Sequence, residues 1–201
     1  MNWINIIFGG FGGAIVAAIV AYVIHRQSQE KPTGKAYEIL QELGKLLEKP
    51  KGEYYFAKSA TDNYKIAQLI YGKSDGDIIS TTFNENPKIY GETSDLIRLY
   101  NYGGSLVTRI TCRNVCSIVD EVDVKSAMQT NLKGSNLIVI PETAYITKID
   151  GIFSKLSDDS YLTFIAFRNN DNPEKNKGVI FRDGIAKGFY EYYVKIIEQY
   201  E

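Results

Sequence analysis

Residues 178–197 read GVIFRDGIAKGFYEYYVKII. Residues 178–181 are a short, mostly apolar run, which reads as a strand. Arg182-Asp183-Gly184 reads as a turn. From residue 184 to 200, apolar side chains return every three or four positions (Ile185, Phe189, Tyr193, Ile196), which predicts an amphipathic C-terminal helix. A strand feeding a helix through a tight turn is a unit of an α/β fold.

The same alternation repeats upstream. Ala36, Ile39, Leu40, Leu43, Leu46 and Leu47 predict a helix over 35–49, closed by Pro50 and Gly52 and packed on the domain beyond it. A second helix is expected over 59–71, with Ser59 or Thr61 as N-cap. After the turn Ser74-Asp75-Gly76, residues 77–83 read as a strand and 84–91 as a loop. Residues 93–102 read as a helix ended by Gly103-Gly104, 106–111 as a strand, and 119–132 as a helix ended by Gly134. The run Asn136-Leu137-Ile138-Val139-Ile140, stopped by Pro141, has the profile of a buried central strand. Residues 144–149 alternate as a strand, Asp150-Gly151 turns, 152–156 and 161–167 are strands, and 169–177 is a polar loop. The expected body is a mixed sheet flanked by helices.

The first 25 residues are of another kind. WINIIFGGFGGAIVAAIVAYVI (3–24) has 22 residues and no charge, enough at ~1.5 Å per residue to span a hydrocarbon core of ~30 Å. Trp3 and Tyr22 sit where aromatic rings favour the headgroup level. No Lys or Arg precedes Arg26, so the segment reads as an uncleaved transmembrane anchor. Arg26, Lys31 and Lys35 follow it, which predicts an inner-membrane, single-pass protein with its N-terminus outside and its bulk in the cytoplasm. Gly9, Gly13, Ala17 and Ala21 recur every four residues, a small-residue face suited to helix association and hence to a homo-oligomer. The organisation read from sequence is therefore a membrane helix (1–25), a linker with an amphipathic helix (26–52) and a cytoplasmic α/β ligand-sensing domain (53–201).

Composition excludes several functions. Lys plus Arg number 23 against 24 Asp plus Glu, so the chain is no basic nucleic-acid coat. It holds one His, His25, and two Cys, Cys112 and Cys116, too few for a zinc-finger array or a disulfide scaffold. The C-x3-C pair reads as structural thiols. Asp120, Glu121 and Asp123, with Asp158 and Asp159, read as solvated acidic faces. No metal site and no cofactor is expected.

Several stretches resemble one half of the phospholipase D-like fold. GVIFRDGIAKGFYEYYVKII is similar to that family's closing strand, acidic turn and final helix. YLTFIAFRNNDNPEKNKGVIF is similar to the strand and loop before it, AQLIYGKSDGDIISTTF to the opening helix and strand, and GGSLVTRITC to the second helix–strand step. The likeness spans residues 59–201. Its implied signature, H-x-K-x4-D, is absent: Lys148 has Ile146 where the His belongs and Phe153 where the Asp belongs, and Lys155 has Phe153 and Ser160. No catalytic residue carries over, and the chain is not expected to be an enzyme.

Binding has more support. Arg109, Arg113, Arg168, Lys177 and Arg182 fall near strand ends or the loops beside them, where α/β sheets hold ligands, and Arg98 lies on the helix expected before the Arg109 strand. Guanidinium forks match phosphate geometry, and fifteen Tyr and nine Phe offer stacking faces for bases. These residues are the expected phosphate-binding set for a nucleotide or oligonucleotide ligand. The favoured reading is a non-catalytic membrane effector, resembling bacterial anti-phage or stress effectors in architecture. Its domain senses the ligand and controls oligomeric membrane helices as an ion channel or membrane-disrupting assembly. The alternative is a membrane-tethered scaffold for lipid headgroups or a protein partner encoded nearby. That reading uses Phe189, Tyr190, Tyr192 and Tyr193 as its contact face.

Overall fold

The computed structural model describes residues 34–48, 54–83, 106–112, 136–167, 172 and 176–201. The chain divides into two units, Met1–Pro32 and Thr33–Glu201, and all the described elements belong to the second. The expected membrane helix, its Gly9/Gly13/Ala17/Ala21 face and the helices over 93–102 and 119–132 lie outside the described residues. Among the described residues, no helix is long and apolar enough to cross a membrane.

The described strands form one sheet: β1 (Tyr54–Phe56), β2 (Asp77–Thr82), β3 (Val107–Cys112), β4 (Asn136–Ile140), β5 (Gly151–Lys155), β6 (Tyr161–Phe167) and β7 (Lys177–Arg182). Their order is β1-β7-β6-β5-β2-β3-β4. β2, β3 and β4 run parallel to one another, and every other pairing is antiparallel. This is the mixed α/β sheet the sequence predicts. The β-branched runs of β2 and β3 suit its pleated, buried surface.

Side chains alternate between the two faces along each strand. Helix α3 (Asp183–Tyr200) covers the face that carries Phe153, Thr163 and Phe181. Phe153 meets Tyr193 with ring centroids 4.5 Å apart, Phe189 lies 5.8 Å from Phe181, and Thr163 Oγ1 donates to the Ala186 carbonyl. Helix α2 (Asp62–Lys73) serves the opposite face, buries Ile66 and Ile70, and ends at Ser74, whose hydroxyl donates to Ser154 at 3.3 Å. Helix α1 (Lys35–Leu43) packs on α2 through Ala36, Ile39, Leu40 and Leu43.

The start of α1 is held from a distance. Its N-cap, Gly34, has φ +97° and no side chain to offer. Asp158, in the turn between β5 and β6, supplies the missing acceptor. Its Oδ2 takes the Lys35 N–H at 2.7 Å, and Ser160 Oγ takes the Ala36 N–H at 3.2 Å. The Tyr37 N–H turns back to the Gly34 carbonyl, which also takes the first regular helix bond from the Glu38 N–H, so the three donors of the first turn, those of Lys35, Ala36 and Tyr37, are satisfied. Lys35 Nζ bonds Asp75 and Ser157, and Asp75 in turn accepts from the Ser157 N–H at 3.1 Å. Two carboxylates thus fasten the first turn to the sheet.

The structure corrects five expectations. Helix 35–49 stops at Leu43, because Leu46 and Leu47 belong to an extended segment: Leu47 bridges Ala57, and the Glu48 N–H donates to the Phe56 carbonyl. β1, unread in the sequence, is the strand next to it. Residues 144–149 form no strand, because tyrosine hydroxyls of α3 take their backbone groups. Tyr192 Oη accepts from the Thr147 N–H at 2.6 Å, and Tyr193 Oη donates to the Thr147 carbonyl and accepts from the Ile149 N–H. β4 lies at the end of the strand order, not its centre. Its apolar run reports burial of its faces, to which α3 contributes. The aromatic stripe of α3 is core: Tyr190 and Tyr193 are buried, and Phe189 packs on Phe153 and Phe181.

Candidate functional site

β2 and β3 are buried, so their interior positions should be apolar. Ile78 and Val107 obey this. The next two pairs in register do not: Ser80 faces Arg109, and Thr82 faces Thr111. Strand alternation places all four on the face opposite α3. They are buried, with Arg109 2% exposed and Thr111 1%. Arg109 Nη2 donates to Thr82 Oγ1 at 2.8 Å, which draws the guanidinium toward the strand ends. Thr111 Oγ1 is buried and has no hydrogen-bond partner among the described residues. A buried, unpaired hydroxyl costs about 1–3 kcal/mol, so the group stands out beside the satisfied hydroxyls of Thr81 and Thr82. This polar lane sits at the carboxyl ends of parallel strands, where open α/β sheets hold ligands.

Across the sheet lies the region of the absent phospholipase D-like signature. Lys148 Nζ donates to the Glu142 carbonyl at 2.7 Å and also hydrogen bonds the Cys112 side chain. Burial pushes the Cys112 thiol up, against the pull of Lys148, so the thiol stays protonated near neutrality. Asp150 Oδ1 accepts from the Phe83 N–H at 2.7 Å and has a structural task at the β2 end. Phe153, where the resemblance would place an acid, is fully buried against Tyr193 and Phe189. The arrangement holds a lysine but neither the nucleophile nor the acid of that chemistry.

The expected phosphate-binding residues fall in different places. Arg109 is in the polar lane. Lys177 starts β7 at the same end of the sheet as the last residues of β2 and β6, and pairs with Glu48 at 3.4 Å, exposed. Arg182 ends β7 at the opposite end, paired with Asp183, with its Nε buried and unpartnered among the described residues. Arg98, Arg113 and Arg168 lie outside the described residues, as do Cys116, Asp120, Glu121 and Asp123. Asp158 caps α1, and Asp159 pairs with Lys155. Among the described residues, no group of acidic, His and Cys side chains could hold a metal. Sequence reasoning missed Ser80, Thr82 and Thr111. The available signal was a strand reading Ile-Ile-Ser-Thr-Thr, with hydroxyls at three successive positions, 80 to 82.

No protein family matches the sequence, and no curated protein matches it. Solved structures do share the fold. TrmBL2, described as an archaeal chromatin protein with a novel mode of DNA binding, is 11% identical with a TM-score of 0.50; the match covers 82% of this chain and 60% of that one. NucT from Helicobacter pylori is 11% identical with a TM-score of 0.50, over 73% of this chain and 97% of that one. Nuc from Salmonella typhimurium, described as a phospholipase D family member, is 12% identical with a TM-score of 0.46, over 68% and 88%. The likeness to NucT, a phospholipase D-family protein, gives this chain a phospholipase D-like fold.

Proposed function

We propose that this chain is a non-catalytic sensor. A phospholipase D-like domain binds a phosphate-bearing ligand, nucleotide or oligonucleotide, and controls the association of N-terminal membrane helices. The observation that carries the reading is the replacement of reacting groups on a kept scaffold: Phe153 is built into the core, Ile146 stands where a histidine would attack, and the one His of the chain is His25. A domain that keeps the fold and loses the nucleophile still has a use for phosphate recognition. That one solved neighbour, TrmBL2, is described as binding DNA accords with this ligand class. The small-residue face Gly9/Gly13/Ala17/Ala21 supplies the output, a self-associating membrane helix that opens or disrupts the bilayer in defence or stress.

The scaffold reading loses its main support, since the aromatic stripe of α3 it would use is packed against the sheet. The test uses the full chain purified in detergent. The reading expects nucleotide or oligonucleotide to be released on denaturation, or to bind when added. It also expects Gly13→Leu to change oligomer size and reduce leakage from reconstituted vesicles. A Gly13→Leu chain with unchanged oligomer size and leakage overturns the output half of the proposal.

A further inference from the structure

We infer that three exposed aromatic rings at one end of the sheet, Tyr64, Tyr145 and Phe167, form a stacking strip for the unpaired bases of a single-stranded nucleic acid. The inference rests on the sensing reading above and names its ligand class and contact residues. Among the described residues, the exposed large apolar side chains are Tyr64, Leu106, Tyr145 and Phe167. The aromatic ones all belong to the end of the sheet where β2, β3 and β4 finish. Phe167 is the last residue of β6, which runs in the same direction as β2. Tyr145 stands on the segment that leaves β4 and enters β5 beside Thr81. Tyr64 is in the first turn of α2, and a Cβ on Gly178, at the start of β7, would strike the side chain of its neighbour Asn63. Leu106, the aliphatic one, precedes β3 at the opposite end.

Tyr145 is fully exposed, and a ring standing in water needs no cavity to receive a flat partner. It is also held in place. The Ala144 N–H donates to the Pro141 carbonyl, and Lys148 Nζ donates to the Glu142 carbonyl. Tyr192 and Tyr193 fix both backbone groups of Thr147. The nature of the partner follows from what surrounds the rings. Thr61, Lys65, Glu142 and Thr143 beside them are exposed and polar. The rings are therefore separate platforms, unlike the continuous apolar centre of a protein interface. Each has a lysine nearby: Lys65 follows Tyr64, Lys148 lies shortly after Tyr145, and Lys177 pairs with Phe167 in register. The contact of Lys177 with Glu48 at 3.4 Å is exposed, and such pairs are worth little. Of the carboxylates nearby, Asp62 accepts from Ser59 and Asp150 from the Phe83 N–H. Separate rings interleaved with ammonium groups match a strand of alternating bases and phosphates.

The test is fluorescence anisotropy of the full chain in detergent with three labelled probes: single-stranded oligothymidylate of about 12 nucleotides, the same strand made abasic, and 5′-AMP. Oligomer size and thermal melts are recorded on the same samples. The native chain should bind the oligothymidylate at least about 5-fold more tightly than the abasic strand. Tyr145→Ala should weaken binding of the base-bearing strand by about 5-fold or more and leave the abasic strand unaffected. Its melting temperature should not change, because the side chain is fully exposed. Tyr145→Phe, which keeps the ring, should bind as the native chain does. Phe167→Ala and Tyr64→Ala should each act in the same direction as Tyr145→Ala. If the native chain and the triple alanine variant bind oligothymidylate equally well, the strip is not the site, while the sensing reading stands. A triple variant with smaller oligomers and unchanged oligonucleotide binding overturns the inference and makes the strip a contact between copies of this chain. Binding of 5′-AMP alone overturns the strip and keeps the sensor. If none of the probes binds, the sensing reading fails and the strip with it.

Discussion

Phe153 occupies the position where the phospholipase D-like signature would carry an acid, and its surroundings show why an acid does not fit there. Its ring lies 4.5 Å from that of Tyr193 and 6.0 Å from that of Phe189, fully buried. Phe153→Asp would put a carboxylate into this buried aromatic cluster. It should cost more than about 3 kcal/mol, read as a lowered urea midpoint, and should bring no phosphodiesterase activity. At this scale the sequence was legible where identity alone decides. The absence of the His and the Asp could be read directly, because a motif is a matter of spacing. The depth of Arg109 could not, since an arginine in a Val-Thr-Arg-Ile-Thr run is equally at home on a solvated strand edge. The fold takes it out of water: β3 lies between β2 and β4, and Arg109 is 2% exposed. Thr111 was invisible for the same reason: a hydroxyl without a partner is a property of its neighbours.

At the scale of elements, α1 shows a helix whose cap comes from 123 residues away along the chain. Burial raises the Asp158 carboxyl, but hydrogen bonds from Ser160 and from the Lys35 N–H outweigh this and hold it below its ordinary value of 3.8. A carboxylate with a depressed folded value contributes stability that is present above the unfolded value and lost as pH falls through the folded one. Amide exchange at the start of α1 should therefore accelerate as pH drops below about 4, after correction for intrinsic rates. Asp158→Ala should reproduce the effect at neutral pH at a cost of about 1 kcal/mol. An exchange profile in which α1 is no faster in the variant would remove Asp158 from this role. The 3–4 residue period of α1 is written in the sequence itself, whereas its cap is not, because Gly34 offers nothing and the acceptor is remote. The alternation of residues 144–149 misled for a related reason. Their pattern fits a strand, but the hydrogen bonds a strand would need are made by Tyr192 and Tyr193. Pattern reports which side chains are buried, and it leaves open what satisfies the backbone.

For the whole molecule, the mixed α/β class and the strand-then-helix ending were readable because long-period patterns sum over many residues. Strand order was not, and β4 shows the limit: apolar composition tells that a strand's faces are covered, not whether strands flank it on both sides. Global stability should depend on the tyrosines of α3. Burial raises Tyr190 to about 12 and moves Tyr193 up as well. Raised phenols contribute stability that is complete below the unfolded value of 10 and is lost as pH climbs through the folded values. Alkaline titration should therefore show phenolate absorbance and loss of helical signal rising together between pH 10 and about 12. Phenolate that forms fully while the helix persists would contradict this. The course of β5 connects two distant features of the domain. The strand begins beside the end of β2, where the Gly151 N–H donates to Thr81, the neighbour of Thr82. It runs into the turn whose Asp158 grips the first residue of α1. Five residues of strand, about 17 Å at ~3.3 Å each, join the two places. β5 and the turn after it thus join, by a short stretch of backbone, the residue that accepts at the end of β2 and the residue that caps α1.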